Sequence, residues 1–73
     1  MMFKLGDRVK FSGETKVNGM FGTVTNAEVK YLYFHNMETQ PTIEILWDKY
    51  PEKPARPPLS YVRPATKLEQ ALL

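Results

Sequence analysis

The chain predicts a mainly β fold: one small barrel of five short strands, with a short C-terminal helix or tail. Three observations lead there. Short segments alternate apolar and polar residues with the period of two that a half-buried strand requires. Clusters rich in Gly, Asn and Pro stand between those segments and supply turn chemistry. At 73 residues the chain is one domain, 1–73, and its core must be economical.

The first strand is read in GDRVKF, with Val9 and Phe11 inward and Arg8 and Lys10 outward. SGETKVNG follows as a turn, where Asn18-Gly19 suits the positive φ of a tight hairpin. MFGTVT is the second strand. Gly22 within it marks a bulge or lets another backbone come close.

The third segment, EVKYLYFHN, is apolar on both faces: Val29, Tyr31, Tyr33 and His35 on one, Leu32 and Phe34 on the other. TIEILW is the fourth strand, with Trp47 expected in the core because large aromatics supply much of the buried area in so small a domain. Four of the eight residues from Pro51 to Pro58 are proline, so 51–58 is a loop with polyproline character, excluded from a sheet interior for want of N–H donors. LSYVR is the fifth strand. Over 65–73, Thr66 and Glu69 have capping-box spacing and Ala65, Leu68 and Leu72 form an apolar stripe, which predicts a helix of at most two turns.

Composition excludes several classes of function. The chain has no cysteine, so disulfides, thiol chemistry and cysteine-bound zinc are out. His35 has no partner at metal-ligand spacing, and Ser12 and Ser60 have no base in a recognisable motif, so catalysis, metals and cofactors are not expected. No apolar run approaches a membrane span, and the start MMFKLGDRVK lacks a secretory apolar stretch; a cytoplasmic protein is expected. The net charge of +2 does not by itself announce nucleic-acid binding. Its distribution is uneven: Lys49 to Arg63 holds four basic residues and one acidic.

LGDRVKFSG, NGMFGTV, IEILWD and YVRPATKLE together resemble KOW-type and other SH3-like barrels, in which a Gly-Asp-x-Val strand precedes a Gly-x-x-Gly-x-Val element. Gly6, Asp7, Val9, Gly19, Gly22 and Val24 match that pattern, all of them between positions 5 and 25. The resemblance implies a five-stranded SH3-like barrel. It also implies a setting, since KOW-type barrels recur in transcription and translation factors, where they touch RNA polymerase or RNA. In length and fold type the chain is similar to the small regulators that phages make against host RNA polymerase, which would place it in the host cytoplasm.

Gly19-Met20-Phe21-Gly22 also spells the Gly-x-x-Gly of KH loops, but it precedes a strand and has no basic residue between its glycines, so it reads as a hairpin. The two Pro-x-x-Pro spacings within 51–58 read as a stiff connector. Tyr31, Tyr33 and His35 are either an outward aromatic strip for a partner or packed beneath the helix or the proline loop.

The expected function is a non-catalytic, monomeric module that docks on RNA polymerase and alters transcription. Its expected contacts are Tyr31, Tyr33 and His35 for apolar area, with Arg8, Lys10, Lys53, Arg56 and Arg63 for charge. Direct nucleic-acid binding through the same basic residues, and a structural or assembly role, are the alternatives.

Overall fold

A computed structural model describes residues 3–12, 20–35 and 37–68. The protein is mainly β: one antiparallel sheet of four strands, β1 (Arg8–Phe11), β2 (Phe21–Phe34), β3 (Met37–Trp47) and β4 (Val62–Pro64), in the order β3-β2-β1-β4. A 3-10 turn, Leu59–Tyr61, leads into β4.

The approach to β1 is set by Gly6 and Asp7. The Asp7 N–H donates to the Lys4 carbonyl at 3.0 Å, and its carboxylate accepts from the Lys4 N–H at 2.8 Å. Gly6 takes φ +87° in this turn, a conformation that side chains resist. β1 then alternates as expected, with Val9 and Phe11 buried.

The expected second and third strands are one. β2 runs unbroken for 14 residues, because Thr25-Asn26-Ala27 bends the strand without ending it. The Asn26 side chain accepts the Glu28 N–H at 2.9 Å, and the register with β3 slips between Val24 and Asn26 and again between Asn26 and Lys30. A local side-chain bond of this kind takes up a backbone donor and shifts the ladder. β3 correspondingly begins at Met37, five residues before the expected fourth strand.

The expected fifth strand is divided. The Tyr61 N–H donates to the Pro58 carbonyl at 3.0 Å, which winds Leu59–Tyr61 into the 3-10 turn and leaves only Val62–Pro64 extended. Among the described residues four strands therefore stand where five were expected, and no β3–β4 ladder closes a barrel. The proline segment lies along the free edge of β3 instead, touching it in two isolated bridges, Thr42 with Pro58 and Ile45 with Ala55. Ala55 exchanges backbone bonds with Ile45, both 2.8 Å, and flanking prolines without N–H groups stop the pairing from spreading.

Of the expected C-terminal helix, 69–73 lies outside the described residues, as does the Asn18-Gly19 turn. Leu68, assigned to its apolar stripe, is 72% exposed.

The core comprises Val9, Phe11, Val24, Ile43, Ile45, Trp47 and Val62. Trp47 is buried, as expected, with the Phe11 ring set edge-on to it at 5.8 Å; Phe11 also meets Tyr61 at 5.9 Å. Gly22 lies opposite Trp47 in the β2–β3 register, close enough that an added Cβ would fall 2.6 Å from Trp47 Cε3. It is a close-approach glycine.

Candidate functional site

β3, β2 and β1 lie side by side only along the first residues of β2. β1 pairs with β2 at Thr23, Gly22 and Phe21, and the proline segment reaches β3 no farther than Thr42. Beyond those points β2 and β3 continue as a two-stranded arm, with Lys30 opposite Thr42, Tyr31 opposite Pro41 and Leu32 opposite Gln40. Every residue from Glu28 to Tyr33 is exposed.

The segment that is apolar on both faces lies in this arm, and among the described residues neither face is covered. Tyr31 is 69% and Tyr33 74% exposed, on the same face two residues apart, and Val29 and Leu32 are exposed beside them. His35 follows in the turn and is exposed too. The reading in which the tyrosines pack beneath the proline loop is thereby corrected among the described residues, because that loop lies against β3 at Thr42 and Ile45 and leaves Tyr31 and Tyr33 uncovered.

Two interactions anchor the arm to the body. Thr42, fully buried, donates its hydroxyl to the Lys30 carbonyl at 2.8 Å. Arg56, reaching from the proline segment, donates Nη1 to the Glu28 carbonyl at 3.1 Å and lies 3.4 Å from the Thr42 carbonyl. Its guanidinium ties strap to arm.

The expected basic contacts do not gather around the tyrosines. Arg8 pairs with Asp48, Nη2 to Oδ2 at 2.6 Å and Nη1 to Oδ1 at 2.9 Å, and also donates to Thr23 Oγ1 at 2.8 Å. Hydrogen bonding to the Arg8 guanidinium holds the Asp48 carboxyl below its usual range, and the same bond raises Arg8 above its own. Lys10 lies with Nζ 6.0 Å from the Phe21 ring centre, and Arg63 is its partner across β1 and β4. Arg8 sits opposite Thr23, eight residues along β2 from Tyr31, up to roughly 27 Å away at the rise of an extended strand. Lys53 is exposed in a shallow dip lined by residues 49–53. The eight residues thus divide into an aromatic arm, a basic cluster on β1 and β4, and a strap.

Sequence reasoning missed Asp48, Thr42, Val29 and Leu32. The first two are partners that only the fold reveals; the signal for the others was already present in the doubly apolar run. Among the described residues no group of acidic or histidine side chains is placed to hold a metal, and no helix is long and apolar enough to cross a membrane. Compared with known proteins, the chain matches no family model, no curated protein and no solved structure.

Proposed function

We propose that the protein is a non-catalytic binding module of SH3-like, KOW-type character that docks on bacterial RNA polymerase or its associated factors and regulates transcription in the cytoplasm. The β2–β3 arm is its contact element. The observation that carries this reading is the exposure of Tyr31 and Tyr33 together on one face of an arm that no other described residue covers. Tyrosines present large, stiff, amphipathic area at small entropic cost and are enriched at the centres of protein interfaces. Polymerase as the partner rests on the resemblance of the Gly6-Asp7-x-Val9 and Gly19-x-x-Gly22-x-Val24 elements to KOW-type barrels.

A protein partner is favoured over nucleic acid by the state of the arginines. Arg8 is already paired with Asp48, and Nη1 of Arg56 is engaged by backbone carbonyls, so a phosphate would compete with these bonds. Affinity capture from a bacterial lysate, with and without nuclease treatment, tests the proposal. Polymerase subunits should be retained in both arms, and lost with Tyr31→Ala, Tyr33→Ala. Retention that nuclease abolishes would transfer the function to nucleic acid.

A further inference from the structure

The edges of the arm differ, and a proline in the ladder shows how. Pro41 has no N–H, so Tyr31 and Pro41 cannot be a pair that exchanges two N–H···O bonds. Antiparallel ladders alternate, which makes the flanking pairs, Lys30 with Thr42 and Leu32 with Gln40, the hydrogen-bonded ones. The Tyr31 N–H and carbonyl therefore point away from β3. On that side β1 has ended its pairing with β2 at Thr23, and among the described residues no strand lies beyond.

The other edges are protected. β3 offers no donor at Pro41, slips register between Gln40 and Met37, and is bridged by Pro58 and Ala55 farther along. β4 is only three residues long and ends in Pro64. Short edges, prolines and irregular register are the devices by which sheets avoid adding strands. From Lys30 to Phe34 the arm segment of β2 has no proline; its own surplus residues lie before Lys30, the extra residue at the Leu32–Phe34 slip is on β3, and Lys30 is the charged residue on this edge.

We propose that two copies of the chain pair antiparallel along this edge of β2, with Tyr31 on the two-fold axis, and so join two arms into one four-stranded sheet. The inference goes beyond polymerase docking and does not depend on it. The occupant is a second copy because the strand is complementary to itself in this register. Tyr31 faces Tyr31, and Val29 faces Tyr33 of the second copy on either side, giving the aromatic and β-branched cross-strand pairs that stabilise sheets. On the opposite face Lys30 meets Leu32, so no like charges stand directly opposite in the stretch beyond the Asn26–Lys30 slip.

An exposed two-stranded hairpin is marginal alone, and pairing relieves that by doubling the sheet. Each copy contributes one open edge and the protected edges remain, so the assembly closes at two. The tyrosine faces stay outward and become contiguous across the dimer.

Sedimentation equilibrium of the full 73-residue chain over a range of concentrations tests this. The expected mass rises to twice the 8.5 kDa of one chain. Tyr31→Pro removes the edge-facing N–H and no ladder bond to β3, as Pro41 already does across from it, and should give a monomer with an unchanged circular dichroism spectrum. If that variant does not fold, amide hydrogen exchange on the native chain decides: Tyr31 should exchange more slowly as concentration rises, while Leu32, bonded within the arm, should not change. A single-chain mass at every concentration, a dimer that survives Tyr31→Pro, or a Tyr31 amide indifferent to concentration would overturn the proposal. A monomer that still captures polymerase would leave the proposed function standing; a dimer that captures none would leave this inference standing.

Discussion

Gly22 and Trp47 share one space: a Cβ on the glycine would lie 2.6 Å from Trp47 Cε3, 2.8 Å from Ile45 Cγ2 and 2.9 Å from the Leu46 carbonyl oxygen. The last is backbone and cannot swing aside. Gly22 is therefore required by volume, since its φ is not in the left-handed region, unlike that of Gly6. Gly22→Ala should cost about 1–3 kcal/mol, the usual range for overpacking a core. Thermal melts check the stability, and Trp47 fluorescence, expected blue-shifted in the native protein, should move to the red as the indole is pushed outward. Gly6→Ala meets no atom within 4 Å, so its cost is conformational, about 1 kcal/mol, and Gly6→Asn should recover part of it.

Arg56 and Lys53 belong to the same proline-rich strap but should behave differently. Arg56→Ala removes the donor to the Glu28 carbonyl and should lower stability by about 1 kcal/mol, with faster amide exchange at Thr42 and its neighbours. Lys53 is exposed and Lys53→Ala should change stability by less than about 0.5 kcal/mol. Paired melts and exchange measurements on the two variants check this contrast.

The Arg8–Asp48 pair predicts an acid dependence of definite sign. Because hydrogen bonding lowers the Asp48 pKa in the folded protein, the pair stabilises fully above the ordinary aspartate value and loses that contribution as pH falls through the lowered one. Arg8 stays charged throughout this range. Both side chains are partly solvated, at 31% and 51% exposure, so screening keeps the contribution at or below about 1 kcal/mol. Asp48→Asn should melt lower than the native chain near neutrality and converge with it in strong acid. A gap that widens on acidification would contradict the pairing.

Tyr31→Ala, Tyr33→Ala should leave the melt within about 0.5 kcal/mol, as expected of exposed positions, while abolishing polymerase capture. Salt separates this from nucleic-acid binding. Each duplex phosphate neutralised contributes a slope of about −0.9 in log affinity against log salt, whereas apolar docking is only weakly screened. A shallow slope lost with the tyrosines supports the module; a steep slope indifferent to them does not.

Much of the core was legible because burial follows local alternation. Val9 and Phe11, Ile43, Ile45 and Trp47 each recur at period two beside polar neighbours, and all are buried. The break expected between Thr25 and Glu28 was misread because Asn26 carries turn chemistry wherever it stands; here its side chain bends a strand that the β3 ladder keeps extended. The basic residues were misgrouped for a similar reason. Charge in a sequence does not disclose its partner, and Asp48 lies 40 residues from Arg8.

The sequence by itself determined the mainly β character, the alternation that places Val9, Phe11 and Trp47 inward and the doubly apolar run from Val29 to Phe34, since each depends on residue type and near neighbours; that Gly22 is a close-approach glycine against Trp47 was decided by the β2–β3 register. Only the tertiary structure decided that this run stands out as a bare arm, that Arg56 ties strap to arm, and that the prolines bridge β3 without forming a ladder. Those outcomes depend on which strands run out first: β1 has four residues against the 14 of β2, and the excess length of β2 has β3 for a partner and nothing else among the described residues to cover it.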